Sequence, residues 1–279
     1  MWIYAITRAV AEHKGYKWGF NPVPEYDYFN GAPQMDFMDI DYGIKHNFKY
    51  EETPDWIEHT WYELYYHMDF PSGDSMDYHR YQPGVFNIED NTKLFIRCCQ
   101  DARYLFRIKE SVKSWFKIRD EKTEEYESLL KHYDIILDKN LAVINIRGGE
   151  YKGVLSLILT EKYWEDAIRI MEMLSPNIRF LCISDDIEYA NRILNNKIPV
   201  IHLSIGGDYY IINNAKNLIL SNSSFAIFPA WLNNNNPYVI APRYWARHNV
   251  STGYWANSDI FTFGWNFLDK DGHLYNENI

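Results

Sequence analysis

An α/β protein with a doubly wound parallel sheet in its second half is what this 279-residue chain predicts, and three observations carry that expectation. From Ala142 onward, short apolar β-branched runs alternate with amphipathic stretches. The runs RFLCIS (179–184) and NLILS (217–221) are apolar in their interiors and bounded by polar residues, as strands covered on both faces are. The stretch TEKYWEDAIRIMEML puts Trp164, Ala167, Ile168, Met171 and Leu174 at helical spacing, with charges between them. Strand and helix alternating at this pitch define a parallel sheet with helices on its faces, and such sheets bind ligands at the carboxyl ends of their strands.

Taken in order, IYAITRAVAEH (3–13) reads as a helix closed by Gly15. Residues 21–80 follow with 13 acidic and 3 basic side chains and 14 Phe, Trp and Tyr. That composition fits an irregular, loop-rich segment whose aromatics fill a core, or a sugar platform of aromatic faces and carboxylates. From about 91 to 135 the pattern looks helical, in KLFIRCCQDARYLFRIKESVKSWFKI and then KTEEYESLLKHY, with Arg97, Arg103, Arg107 and Lys109 read as a solvated face. Beyond it, AVINI, RFLCIS, IPVIHL, NLILS and YVIAP read as strands. Between them TEKYWEDAIRIMEML, DIEYANRIL, DYYIINNA and SSFAIFPAWL read as helices.

Composition narrows the function classes. Hydrophobic residues make up 47% of the chain and aromatics 17%, a globular balance rather than a disordered one. A net charge of -10 argues against nucleic acid as a partner, because that affinity rests on neutralising phosphates with Lys and Arg. The three cysteines, Cys98, Cys99 and Cys182, offer neither a disulfide framework nor a zinc spacing, so a reducing compartment is the default. No stretch reaches 18 apolar residues and the start has no leader pattern, so the expectation is a soluble cytoplasmic protein without a transmembrane segment.

Three strand ends carry the candidate chemistry. In VINIRGGEYKG the strand breaks into Arg147, Gly148, Gly149 and Glu150. Arginine can donate two parallel hydrogen bonds to a phosphate, and bare glycine lets backbone approach it, although a strand-end turn explains the same residues. In LSNSSFAIFPAWL the strand ends at Ser221, which places Asn222, Ser223 and Ser224 at the cap and first turn of a helix. Such a turn either caps the helix or offers free N–H groups to an anion. ISDD closes another strand with Asp185 and Asp186, read as a helix cap in preference to a metal pair. Asp208, after SIGG, is read as opening a helix or as a ligand contact.

The order of these pieces resembles the inverting α-1,2-fucosyltransferases of glycosyltransferase family 11, and more distantly the α-1,6- and O-fucosyltransferases. NIRGGEY (145–151) looks like the family's histidine-x-arginine-arginine-glycine-aspartate-tyrosine motif, and FLCISDDIEYANRIL like its SDD strand end. Asp208 followed by SNSSFAIFPAWLN looks like its later aspartate and serine motif. QDARYLF (100–106) and MWIYAITRAVAE are similar to its linker and first helix. The resemblance implies a GT-B-like fold of two Rossmann-like domains. Residues 1–135 would be an acceptor-side domain with linker helices, lacking its first strand, and 136–279 the nucleotide-sugar-binding domain.

It further implies transfer of L-fucose from GDP-fucose to a glycan hydroxyl without a metal or other cofactor, in the cytoplasm or peripheral to the inner membrane face. Arg147 would meet the donor's β-phosphate, with Gly149 beside it. Asn145 and Asp208 would meet guanine, and Asn222, Ser223, Ser224 and Phe225 the phosphate and ribose. Glu150 would be the base for the acceptor hydroxyl or a salt-bridge partner of Arg147. Three positions depart from the motif: Asn145 for histidine, Gly148 for the second arginine and Glu150 for aspartate. They leave open another GDP- or UDP-linked donor, and a non-catalytic nucleotide-sugar or glycan-binding protein.

Overall fold

The computed structural model describes residues 1–19, 35–44, 55–56, 83–94, 102–250 and 263–276. The chain divides into two compact units, Met1–Lys117 with Ala256–Thr262, and Ile118–Trp255 with Phe263–Ile279. Cys98, Cys99, Arg97 and most of the acidic aromatic stretch 21–80 lie outside the described residues.

In the first unit, helix α1 (Trp2–Lys14) ends on Gly15 at φ 71°, the left-handed cap its sequence predicts. Its inner face carries Tyr4, Ile6, Ala9 and Val10, all buried. Arg8 is structural. It bonds Glu12 at 2.9 Å and the Tyr4 hydroxyl at 3.0 Å, and its guanidinium lies 4.6 Å from the centre of the Trp115 ring. Strands β1 (Asp55–Trp56) and β2 (Lys93–Leu94) form a short parallel pair. Of the helical pattern expected over about 91–135, Lys93–Leu94 form β2 instead, and 3-10 turns occupy Ala102–Tyr104 and Phe106–Ile108 before helix α2 (Lys109–Trp115). Aromatic and β-branched side chains crowd there, and they hold helix less well than straight-chain ones.

The second unit opens with helix α3 (Asp120–His132), after which strand and helix alternate as expected. The strands are β3 (Leu141–Ile146), β4 (Arg179–Ser184), β5 (Val200–Ile201), β6 (Asn217–Leu220), β7 (Tyr238–Pro242), β8 (Asn266–Leu268) and β9 (Leu274–Tyr275). The helices are α4 (Glu161–Leu174), α5 (Ile187–Ile193), α6 (Ile205–Asn214) and α7 (Ser224–Trp231). The sheet order is β5-β4-β3-β6-β7-β8-β9, parallel throughout except for the β8–β9 hairpin.

Every residue of β3 is buried, as its apolar run requires. Of the stripe on α4, Trp164, Ala167 and Met171 are buried, whereas Leu174 at the helix end is exposed. The hairpin went unread in the sequence. Its turn is built by Asp269, whose carboxylate accepts from the backbone N–H groups of Asp271 (2.9 Å) and His273 (2.8 Å) and from the Tyr275 hydroxyl (3.1 Å).

The topology locates the ligand crevice. From β3 the chain builds outward through β4 to β5, then crosses back to place β6 on the other side of β3. The crevice outside the carboxyl ends of β3 and β6 is therefore the topological switch point, where open parallel sheets bind ligands.

In the loop after β7, His248 is buried against the Tyr163 ring at 5.4 Å. Burial lowers its pKa from 6.5 to about 4, a shift that the charge of Asp269 only partly opposes. The folded ring resists the proton that the unfolded chain accepts. Its stabilising contribution is therefore full above pH 6.5 and is lost as pH falls toward 4. Between neutral pH and about pH 4.5 the loss is about 2–3 kcal/mol. Urea unfolding of wild type and His248→Gln at the two pH values checks this. The acid-induced loss shrinks by that amount in the variant, and an equal loss in both would refute it.

Candidate functional site at the β3–β6 strand ends

Arg147 is the first residue beyond β3, and the structure gives it three partners. Its Nη1 lies 2.7 Å from Asp185 Oδ2, its Nη2 lies 3.2 Å from Glu150 Oε1, and its guanidinium sits 5.6 Å from the centre of the Tyr151 ring. Asp185 reaches it because β3 and β4 run in register, Ile146 opposite Ser184, so each strand hands its next residue to the same rim. The other oxygen of Asp185 accepts from the Gly148 N–H at 2.8 Å. One carboxylate thus fixes both the backbone turn and the guanidinium. Both arms of the fork are paired, yet the Arg147 side chain remains 30% exposed.

The two glycines answer to the same neighbours. A Cβ on Gly148 would stand 2.5 Å from the Cβ of Asp186, and Gly149 adopts φ +40°, with Asp185 Oδ2 2.6 Å from where its Cβ would be. The close approach that the glycine pair signals is thus to ISDD. Asp186 caps α5 by accepting from the Tyr189 N–H at 2.9 Å and pairs with Lys152. These two contacts, Lys152 first, hold its carboxyl below the usual range. The cap expected for one of these aspartates falls to Asp186, and Asp185 serves Arg147.

Across the crevice, Ser223 is the N-cap of α7, with its Oγ accepting from Phe225 N–H at 3.3 Å. Ser224 opens the helix and Phe225 packs edge-on to Tyr209 at 6.4 Å. Asn222, expected to share the capping, has another task. It is buried, and its Nδ2 donates to the carbonyls of Leu157 (2.9 Å) and Trp245 (2.5 Å), fastening the loops after β3 and β7 beneath the helix start. Asn145 is also buried, its Oδ1 accepting from Ser221 Oγ at 3.1 Å, and this bond stitches β3 to β6 at the switch point.

Asp208 does not open its helix. Ser204 is the cap, accepting from Gly207 N–H at 3.0 Å, and Asp208 lies buried in the first turn of α6. Its carboxylate accepts from Leu203 N–H at 3.1 Å and lies 2.7 Å from His202 Nδ1. That bond is the main reason the His202 pKa is raised, with burial opposing it and the charges of Asp208 and Asp185 adding to it.

His202 went unremarked in the sequence, where a lone histidine after a strand carries no signal. Arg243 went unremarked too. It follows β7 and stacks 3.6 Å over the Tyr275 ring. Among the described residues, Asp269, Asp271 and His273 can bring ligand atoms within 4.8 Å of one another, but the hydrogen bonds of the β8–β9 turn already occupy Asp269.

A parallel α/β sheet with an arginine beyond one strand of its switch point and a serine-capped helix start beyond the other has the arrangement in which open α/β sheets bind ligands. Residues 77–269 match the profile of "Glycosyl transferase family 11", and the chain belongs to that family. It is 30% identical over 164 residues to an "Alpha-1,2-colitosyltransferase" of Escherichia coli, covering 54% of this chain and 55% of that one. It is 24% identical over 172 residues to the "O-antigen biosynthesis glycosyltransferase WbnK" of Escherichia coli, covering 54% of each. The chain spans about half the length of the curated relatives it matches. Among solved structures it is similar to POFUT1 in complex with GDP-fucose. There the TM-score is 0.42 at 8% identity, covering 84% of this chain and 89% of that one. POFUT1 in complex with GDP follows at 0.38 and 11%, covering 57% and 55%.

Proposed function

We propose that this protein is an inverting glycosyltransferase that moves a deoxyhexose, L-fucose from GDP-fucose foremost, to a hydroxyl of a glycan in the cytoplasm. The observation that carries the reading is position: in a member of a glycosyltransferase family, Arg147 and the Ser223 helix start stand on the two strand ends that flank the switch point. The architecture is GT-B, with the first unit taking the acceptor.

The donor diphosphate lies across the rim. Arg147 and the first-turn N–H groups of α7, with Ser223 and Ser224, meet its β-phosphate from the two sides of the switch point. The acceptor oxygen attacks the anomeric carbon as the bond from that carbon to the phosphate oxygen breaks. The nucleoside diphosphate leaves with the bonding pair, and Glu150 takes the hydroxyl proton. Charge develops on the leaving diphosphate, and a fixed guanidinium and helix dipole stabilise it there without a metal or other cofactor. Asp185 and Tyr151 keep the guanidinium in place. Glu150 bonds Arg147, and Glu150→Gln separates its two roles: a base loses turnover with donor affinity kept, a brace loses donor affinity. The relative named as a colitosyltransferase keeps a second donor sugar in view.

The test is transfer from GDP-fucose, and from other GDP- and UDP-linked sugars, to a panel of glycans in EDTA, read by mass, with the product's anomeric configuration read by NMR. A fucosylated product of inverted configuration is expected. Nucleotide binding without transfer from any donor would make the chain a binding homologue instead.

A further inference from the structure

We infer that His202, oriented by Asp208, is the residue that reads the donor's nucleobase, accepting a hydrogen bond at Nε2 from a ring N–H that stands beside a carbonyl. The inference rests on the nucleotide-sugar reading above and departs from the resemblance, which assigns the base to Asn145 and Asp208.

Both of those side chains are buried and engaged. Asn145 gives its carbonyl oxygen to Ser221, and Asp208 gives one oxygen to Leu203 N–H and the other to His202. The group of this set that reaches the surface is the imidazole, 41% exposed. Its place in the sheet is suited to a base. Ile201 pairs with Ile183 and Ile146 with Ser184, so His202 stands level with Ser184 and with the end of β3. That puts it two strands from β3, about 10 Å from where Arg147 begins. The α-phosphate and ribose between the β-phosphate and the base span a comparable gap. The donor then runs along the rim from the switch point toward β5.

The tautomer follows from the partner. A carboxylate oxygen at 2.7 Å from Nδ1 holds the proton there in the neutral ring, which leaves Nε2 as an acceptor. Guanine carries a lactam ring N–H and uracil an imide one, each beside a carbonyl, and adenine carries neither. The arrangement therefore selects bases with such a ring N–H, and Asp208 acts as a positioning residue that fixes which nitrogen faces the base. Protonating the ring removes the acceptor. The charged groups that set this are Asp208, at the start of α6, and Asp185, beyond β4.

The test titrates the full chain with GDP, UDP, ADP and inorganic pyrophosphate at about pH 8, in wild type, His202→Ala and His202→Gln. Wild type is expected to prefer GDP or UDP over ADP by about tenfold, the value of one hydrogen bond from a ring N–H. The alanine variant loses that preference while its pyrophosphate affinity stays unchanged. The glutamine variant, whose amide oxygen can accept, retains part of it. Guanine and uracil are told apart by which of the two binds. At about pH 5.5 the wild-type preference declines as the ring protonates.

A preference that survives in His202→Ala, or GDP binding that tightens in acid, overturns the inference and leaves the donor site standing. Failure of wild type to bind any of the four ligands overturns the donor reading itself, and the inference with it.

Discussion

Replacing Arg147 with alanine is expected to weaken GDP binding by about 10- to 100-fold, the value of hydrogen bonds between a charged donor and a phosphate. Transfer is expected to slow further, because the guanidinium also meets charge that grows as the diphosphate departs. Folding stability is expected to change by less than about 1 kcal/mol. The Arg147–Asp185 pair is partly exposed, and Asp185 keeps its bond to the Gly148 N–H. Arg147→Lys keeps the charge but not the fork, so it is expected to recover only part of the binding. Calorimetric titration beside urea unfolding separates these effects. Full GDP affinity in the alanine variant would remove Arg147 from the site.

The second large effect concerns the position where the family motif has another arginine. Gly148→Arg brings the sequence nearer to that motif, yet it is expected to destabilise the chain by about 1–3 kcal/mol and to bind GDP no better. Any Cβ at 148 would stand 2.5 Å from the Cβ of Asp186, an atom fixed close to the backbone by the cap on α5. Making room displaces the cap and its pairing with Lys152. The packing of the two strand ends thus requires glycine at 148. Unfolding midpoints of Gly148→Ala and Gly148→Arg measure the cost, and an arginine variant as stable as wild type with tighter GDP binding would contradict it.

The parallel sheet was legible because its strands are covered on both faces and so must be apolar along their length. RFLCIS and YVIAP coincide with β4 and β7 residue for residue. The switch point was not legible, since no local pattern tells which neighbour a strand will choose, and with it went the meaning of the Asn145–Ser221 bond. Candidate residues next to strand ends were found by that rule. Their partners were not: Asp185 lies 38 residues from Arg147 and meets it only through the β3–β4 register. That Asp208 would sit inside the first turn was not legible either, because Ser204, four residues earlier, takes the cap itself. Asn222 sits in a capping motif and fastens loops instead, a role fixed by carbonyls far away in the chain. The D-G turn of the closing hairpin was a local signal that could have been read.

The most direct test of the account is a crystal structure of the chain with GDP bound in the presence of EDTA. The account expects the diphosphate in the crevice outside β3 and β6, with phosphate oxygens about 2.7–3.2 Å from the Arg147 guanidinium and from the first-turn N–H groups of α7. A diphosphate bound away from both strand ends, with Arg147 still closed on Asp185 and Glu150 alone, would contradict it.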